Sequence, residues 1–192
     1  MLKTVKDKKC RECGNKFKPS MTTQTSCSPI CAIAQGKKKV AKDKQESQKV
    51  ERKESRARVE SVQPLSYYHK KAQAAFNGFI RERDAGMPCI SCGKPDNGSH
   101  QRHASHFRSI GACRDLRYDE MNVHASCSVC NNHMSGNIAG YTPALIDKIG
   151  QDEVDRLNGP HSPNKWTREE LISLAEHYRK KTRDLVKSRS EV

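Results

Sequence analysis

No stretch of this chain is apolar for the roughly 20 residues that a bilayer-spanning helix needs, which argues against a helical membrane protein. Aromatic residues are scarce, at 5% with one tryptophan, and hydrophobic residues reach only 34%. Over 192 residues that is too little for a large continuous core, so one modest domain with an appendage, or two small domains, is expected. Met1-Leu2-Lys3 runs into lysine and cysteine rather than an apolar leader, so the expected location is the reducing cytoplasm where the chain is made. Acids are short as well, 22 against 36 lysines and arginines, for a net charge of +14. The deficit is uneven: residues 1–60 hold 17 Lys/Arg against 7 Asp/Glu. A basic N-terminal half points to a polyanionic partner, nucleic acid, held through salt-sensitive phosphate contacts, with Lys37, Lys38 and Lys39 as the densest cluster.

Cysteine is plentiful by contrast, and its spacing is that of metal ligands. Cys10-x-x-Cys13 and Cys27-x-x-x-Cys31 are separated by a 13-residue polar loop and form one four-thiol set. Four sulfurs close a tetrahedral zinc site and leave no open position, so this zinc is structural. Cys89-x-x-Cys92 and Cys127-x-x-Cys130 form a second set, with 34 residues between the pairs. That zinc staples a substantial insert. Structural zinc contributes roughly 10–16 kcal/mol in small metal-dependent domains, against about 5–15 kcal/mol for the stability of a whole domain. In a chain this poor in core residues, metal decides whether the region folds. Cys113 pairs with neither set.

Between the units, residues 36–60 are good helix formers with no proline and no sustained apolar stripe. They read as an exposed charged helix or a partly disordered tether. Ser66 is placed to cap a helix through about Asp84, with Tyr68, Ala72, Ala75, Phe76, Phe79 and Ile80 as core at helical spacing. A further helical stretch, Leu145 to Leu157, is interrupted near Gly150. A final helix starts at Thr167 with Glu169 and Glu170 in its first turn, where the helix dipole favours acids. The predicted organisation is an N-terminal four-cysteine unit (1–35), a basic charged linker (36–64) and a zinc-stapled domain with C-terminal helices (65–192).

The insert is dense in histidine: His100, His103, His106 and His124, with His133 just past the second cysteine pair. If His103 to His106 is a strand, those two histidines face opposite ways and do not share one metal. A strand histidine (His106), an asparagine before the second CxxC (Asn122) and Asn131 just after it resemble the HNH, or ββα-metal, nuclease motif. The resemblance implies an α+β fold in which two strands and a helix grip one divalent cation, Mg2+ or Mn2+. It also implies that His106 is the general base, that Asn122 orients backbone and base, and that Asn131 is a cation ligand, with His133 an alternative or additional one. Imidazole titrates near neutrality and suits a base; a hard cation offsets charge building on phosphate. The His-Asn-Asn version is similar to phage endonuclease VII. Ser105 stands where many members have the aspartate that ligates the cation, and His103 or Asp119 is a candidate to replace it.

FIRERDAGMPCISCG (79–93), ASHFR (104–108), LRYDEMNVHASCSVCNNHMSGN (116–137) and LISLAEHYRKKTRDLVKSRSEV (171–192) resemble the phage lambda NinG (Rap) family over nearly the whole chain. The resemblance implies a structure-specific endonuclease that cleaves branched double-stranded DNA, Holliday junctions and D-loops, in phage recombination within the bacterial host. Arg108 and Arg114 are close enough in sequence to His106 to help position the phosphate. Two cuts resolve a four-way junction, so a symmetric homodimer is a natural assembly. The competing expectation is a non-catalytic recombination accessory protein whose zinc units are DNA-recognition modules.

Overall fold

The computed structural model describes residues 6–98 and 101–191, so His100 lies outside the described residues. The chain divides into two compact units, 1–62 and 63–192. Its composition of helices and two small antiparallel sheets makes it an α+β protein.

In the first unit, β1 (Lys8–Lys9) and β2 (Lys16–Phe17) pair antiparallel, Lys8 opposite Phe17. The turn between them passes through Gly14 at φ +75°, a conformation that costs glycine little. Helix α1 (Pro29–Ser61) then runs for 33 residues without one buried side chain. Its start is inside the second cysteine pair. The Ser28 side chain accepts from the Cys31 N–H at 3.3 Å, and Pro29 supplies the fixed φ suited to a first turn. The 36–60 segment is therefore helical throughout, joined without a break to the turn that carries Cys31.

The second unit begins with α2 (Leu65–Arg83). The N-cap position is Pro64 and no side chain caps this helix, so Ser66 lies inside it and does not play the capping role its sequence position suggests. Strands β3 (Arg102–His106) and β4 (Val123–Cys127) form the second sheet, paired from Arg102–Cys127 to His106–Val123. A short π-helical turn (Val129–His133) follows, then α3 (Ile138–Ile149), α4 (Gln151–Asn158) and α5 (Arg168–Ser190). Gly150, at φ +86°, separates α3 from α4 where the sequence pattern breaks. Thr167 and Glu170 cap α5 reciprocally, each side chain bonding the other's backbone N–H.

Two apolar clusters cover the two faces of the hairpin. Tyr68, Phe76, Phe79 and Ile80 of α2 and Leu171 and Tyr178 of α5 pack with Val123, while Ala104 touches their margin. Phe76 and Tyr178 meet edge to face with centroids 4.9 Å apart. Burying each such side chain contributes about 1.5–3 kcal/mol. Phe107, Leu116, Tyr141, Leu145, Val154 and Leu157 form the other cluster, built on α3 and α4. With both faces covered, β4 is buried at every residue even though its sequence, VHASC, alternates apolar and polar residues, so His124 and Ser126 are buried polar groups.

Candidate active site and metal clusters

The eight paired cysteines form two groups, Cys10, Cys13, Cys27, Cys31 and Cys89, Cys92, Cys127, Cys130, with the sulfurs of each group within 4.8 Å of one another. Four thiolates at the usual zinc–sulfur distance of about 2.3 Å in a tetrahedron place sulfurs roughly 3.8 Å apart. The observed separations are 3.5 Å for Cys13–Cys27, 3.7 Å for Cys27–Cys31 and 3.9 Å for Cys92–Cys127. Backbone N–H groups point at the sulfurs: Cys27 donates to Cys10 Sγ at 3.4 Å and Cys127 donates to Cys89 Sγ at 3.3 Å. Within the first group, backbone N–H bonds, led by that of Cys13, lower Cys10 to about 6, while the thiols crowding Cys27 push it up to about 12. Such a group resists full ionisation by itself, and a divalent cation removes the conflict. Donor chemistry and geometry fit structural zinc at both places. Among the described residues no third group of three His, Cys, Asp or Glu side chains is close enough to hold a metal.

The second group is locked into the fold by its surroundings. Ser91, between Cys89 and Cys92, is buried and donates to the Gly136 carbonyl at 2.8 Å, and Asn137 Nδ2 donates to the Ser91 carbonyl at 3.1 Å. A Cβ on Gly140, in the first turn of α3, would stand 2.0 Å from the Ser91 carbonyl oxygen, so only glycine permits this approach. Asp84, just past α2, is buried and accepts from both Arg83 and the Ala125 N–H, with Lys148 at 3.5 Å. Burial opposes its charge, yet these partners hold its carboxyl below the ordinary carboxylate range.

His106 ends β3, and its Nε2 lies 3.0 Å from the Arg117 carbonyl oxygen. A carbonyl only accepts, so Nε2 carries the proton and Nδ1 is left to take another. Burial draws His106 below the ordinary imidazole value, only partly countered by that carbonyl bond, and keeps the ring neutral. Asn122 is fully buried and spends its whole amide on the loop that joins the strands. Its Oδ1 accepts from the Arg108 N–H at 2.8 Å, and Nδ2 donates to the carbonyls of Arg108 and Leu116 at 3.0 and 3.1 Å. Leu116 directly precedes Arg117. His106 and Asn122 thus belong to one network.

Asn131 belongs to another. In the paired register His103 and Ser105 lie on one face of β3 and Ala104 and His106 on the opposite face. Asn131, on the π-helical turn, has Nδ2 3.3 Å from His103 Nδ1 and 2.9 Å from Asn132 Oδ1, which leaves its own Oδ1 as an oxygen donor. His133 is exposed at the end of the same turn. Of the two candidates to replace the aspartate, His103 is therefore beside Asn131. Asp119 is committed elsewhere, accepting from the Met121 N–H at 2.8 Å and pairing with Arg156 at 2.7 Å. Ser105 is buried, its carbonyl accepting from the Tyr141 hydroxyl at 3.0 Å. That hydroxyl's single proton is thereby used, so His124 Nδ1–H donates to Tyr141 at 3.3 Å.

The remaining residues expected at a nucleic-acid interface are on two separate elements. Arg108 and Arg114 line one polar pocket with residues of the α4–α5 connection. Lys37, Lys38 and Lys39 are on α1, where Lys38 pairs with Glu12 at 2.6 Å. Lys38, Lys42, Lys49, Lys53 and Arg56 share one side of that helix, a stripe about 27 Å long at 1.5 Å per residue. Asp43, Glu46, Glu51 and Glu54 occupy the other side.

With this geometry in view, the comparison with known proteins is decisive. The family described as Bacteriophage Lambda NinG protein matches residues 2–189. The chain is a member of the NinG family. It is 38% identical to Protein ninG of Escherichia phage lambda, over 94% of this chain and 93% of that one. It is also 38% identical to Protein ninG of Salmonella phage P22, covering 95% of each, and 37% identical to that of Escherichia phage 933W, covering 96% of each. No solved structure matches the chain. The match to the family spans both cysteine groups, the His106–Asn122 loop and the helix α1 that joins onto Cys31. Among the described residues no helix is long and apolar enough to cross a membrane.

Arg117, Asp84, Tyr141 and Gly140 were not singled out by sequence reasoning. Only Asp84 left a trace there: an acid at a helix C-terminus is opposed by the helix dipole and so calls for partners elsewhere.

Proposed function

We propose that this NinG-family protein is a metal-dependent, structure-specific DNA endonuclease of HNH, endonuclease VII-like type. Its substrates would be branched recombination intermediates, Holliday junctions and D-loops, in the infected host's cytoplasm. The observation that carries the reading is the orientation of His106. A backbone carbonyl fixes its Nε2–H, burial keeps it neutral, and a buried asparagine pins the loop that supplies that carbonyl. This is what a general base requires: one nitrogen anchored and the other free at physiological pH. His106 Nδ1 takes a proton from the attacking water, and the imidazolium formed stays hydrogen-bonded to Arg117. Asn122 touches no substrate; it holds the loop so that the base does not rotate.

Asn131, with His103 and His133 as neighbours on the strand and the turn, would hold the divalent cation, which when bound stabilises charge on the phosphate oxygens. An amide oxygen and the exposed His133 imidazole make a sparse donor set, the His103 Nδ1 lone pair being taken by Asn131 Nδ2, so water and substrate phosphate would fill the remaining positions, as is usual for Mg2+. The scissile phosphate would have to span from His103 and Asn131 on one face of β3 to His106 at the strand's end on the other. Lys37, Lys38 and Lys39 would contact DNA phosphates. Paired incisions would need two copies of the chain in a homodimer.

One observation favours a second reading, a non-catalytic DNA-binding accessory protein: the position before the base is Ser105, and its carbonyl and side chain are buried in the fold. Four-way junction and linear duplex of the same sequences, incubated with zinc-loaded protein and Mg2+ or Mn2+, separate the two. Cleavage of the junction in preference to the duplex is expected. Tight junction binding with no cleavage in either metal would select the accessory reading.

A further inference from the structure

Beyond the His106 loop, the most unusual polar feature of the second unit is a pocket of about 580 Å³ between the loop after β3 and the α4–α5 connection. Arg108 and Arg114 line it from one side, His161 and Asn164 from the other. Arg108 is held in an uncommon way. Asn122 binds both its backbone N–H and its carbonyl, and its Nη1 donates to Asn158 Oδ1 at 3.2 Å. Its Nε is buried with no hydrogen-bond partner among the described residues. A buried guanidinium N–H without an acceptor is costly, and an anion is the acceptor it fits best. Neither arginine is in an ion pair among the described residues. The one acid in the lining, Asp115, has Oδ1 engaged by the Asn164 N–H at 2.7 Å, and the two guanidiniums outweigh it.

We infer that this pocket is a phosphate subsite, holding one backbone phosphate of the DNA strand next to the phosphate that His106 addresses. The inference rests on the DNA reading above and gives it a register. Asn122 fixes Arg108 on one side and the Leu116 carbonyl on the other, and Leu116 leads straight into the carbonyl that orients His106. A strand gripped at Arg108 is thereby set at a fixed offset from the base. The grip reads phosphate and not base identity, as suits an enzyme that recognises branch shape. Arginine serves better than lysine because its planar fork gives two oxygens of one phosphate two donors.

The test uses full-length, zinc-loaded protein carrying His106→Ala, without divalent cation, so that binding is read apart from cutting. Arg114→Gln and Arg108→Lys are each added, and four-way junction affinity is followed against salt. Arg114 is exposed, so its replacement leaves the fold intact, and unchanged melting and zinc content check this. Each substitution is expected to weaken binding about 5- to 20-fold at fixed salt. Arg114→Gln, which removes a charge, should also make the slope of log affinity against log salt shallower by about one, whereas Arg108→Lys, which keeps the charge and loses the fork, should leave the slope as it is. In the protein without pocket substitutions, the 15N resonance of Arg108 Nε–H is expected to move when junction is added. Unchanged affinity in both variants and an unchanged slope in Arg114→Gln, beside a still Nε–H resonance, would overturn the inference and leave the DNA reading standing. A resonance that moves with inorganic phosphate but not with junction would make this a free-phosphate site and overturn it equally. Absence of junction binding before any pocket substitution would instead bring down the proposed function.

Discussion

The two cysteine groups look alike in chemistry and differ in what they hold. The first closes a short loop around β1 and β2 and passes into α1, a helix with no buried side chain. The second ties β4 to the end of α2 and receives Asn137 and the Gly136 carbonyl, with three of its cysteines buried. The same four sulfurs are thus a local clasp in one place and a keystone in the other. Metal at the first should govern only its own unit; metal at the second should govern the whole of the candidate active site.

The largest effect that would test this contrast comes from the cysteines. Cys127→Ser, at a position 3% exposed, is expected to halve bound zinc and to unfold the 63–192 unit cooperatively. Cys13→Ser, at an exposed position, is expected to lose one zinc as well but to leave the near-UV signal of Trp166 and the tyrosines unchanged. Zinc content by elemental analysis with circular dichroism checks both, and equal damage from the two would erase the distinction.

Next in size is Asn122→Ala, which leaves one buried N–H and two carbonyls unpaired. A loss of about 3 kcal/mol in urea unfolding is expected on the general cost of such groups. Junction cleavage should fall with it even at temperatures where the variant is folded, because the Arg117 carbonyl is no longer held in place.

How much of this could be read from the sequence depended on whether the signal lay in side chains or in backbone. The core face of α2, the break at Gly150 and the start of α5 at Thr167 with acids in its first turn are side-chain patterns, and they are where the sequence places them. The start of α1 at Pro29 is not in the sequence reading although Ser28-Pro29 is a sound N-cap and first-turn pair, because residues 27–31 read there only as metal ligands of the 1–35 unit. Ser66 does not cap α2 for the opposite reason: a good capping residue sits two positions too late, after Pro64. Both cysteine groups were legible from spacing. The Arg117 carbonyl was not, since a backbone atom thirty-odd ångströms of chain away from His106 has no mark in the sequence. The pairing of Asn131 with His103, and not with Asp119, likewise needed the strand register.

A smaller effect concerns acid. Burial, with Lys148 and Arg83 nearby, lowers His124 to about 3, far below its unfolded value of 6.5. A depressed folded value means that the stability is present above pH 6.5 and is lost as pH falls from there toward 3. Between pH 6.5 and 5.5, where zinc is retained, wild type should lose about 1 kcal/mol more than His124→Gln. Parallel melting curves for the two would show that the ring is not buried as a neutral group.

The smallest effect expected is on α1. Lys42→Gln with Lys49→Gln removes two charges from the basic stripe of an exposed helix and should leave stability within about 0.5 kcal/mol of wild type. Junction affinity should fall uniformly across DNA sequences, and its salt slope by about two. An unchanged slope would take α1 out of the DNA interface and leave the first unit a clasp alone.

The most direct test of the central claim, that His106 is the base of a nuclease centre hung on the second metal group, is single-turnover cleavage of a four-way junction by wild type and His106→Ala. Zinc is retained, Mg2+ is supplied, and imidazole is added to the variant in a second series. Wild type is predicted to cut, the variant to be slower by about 10²–10⁴-fold at equal junction affinity, and imidazole to restore part of the rate. Cleavage by the variant at the wild-type rate, or no cleavage by wild type at full junction occupancy, would contradict the account.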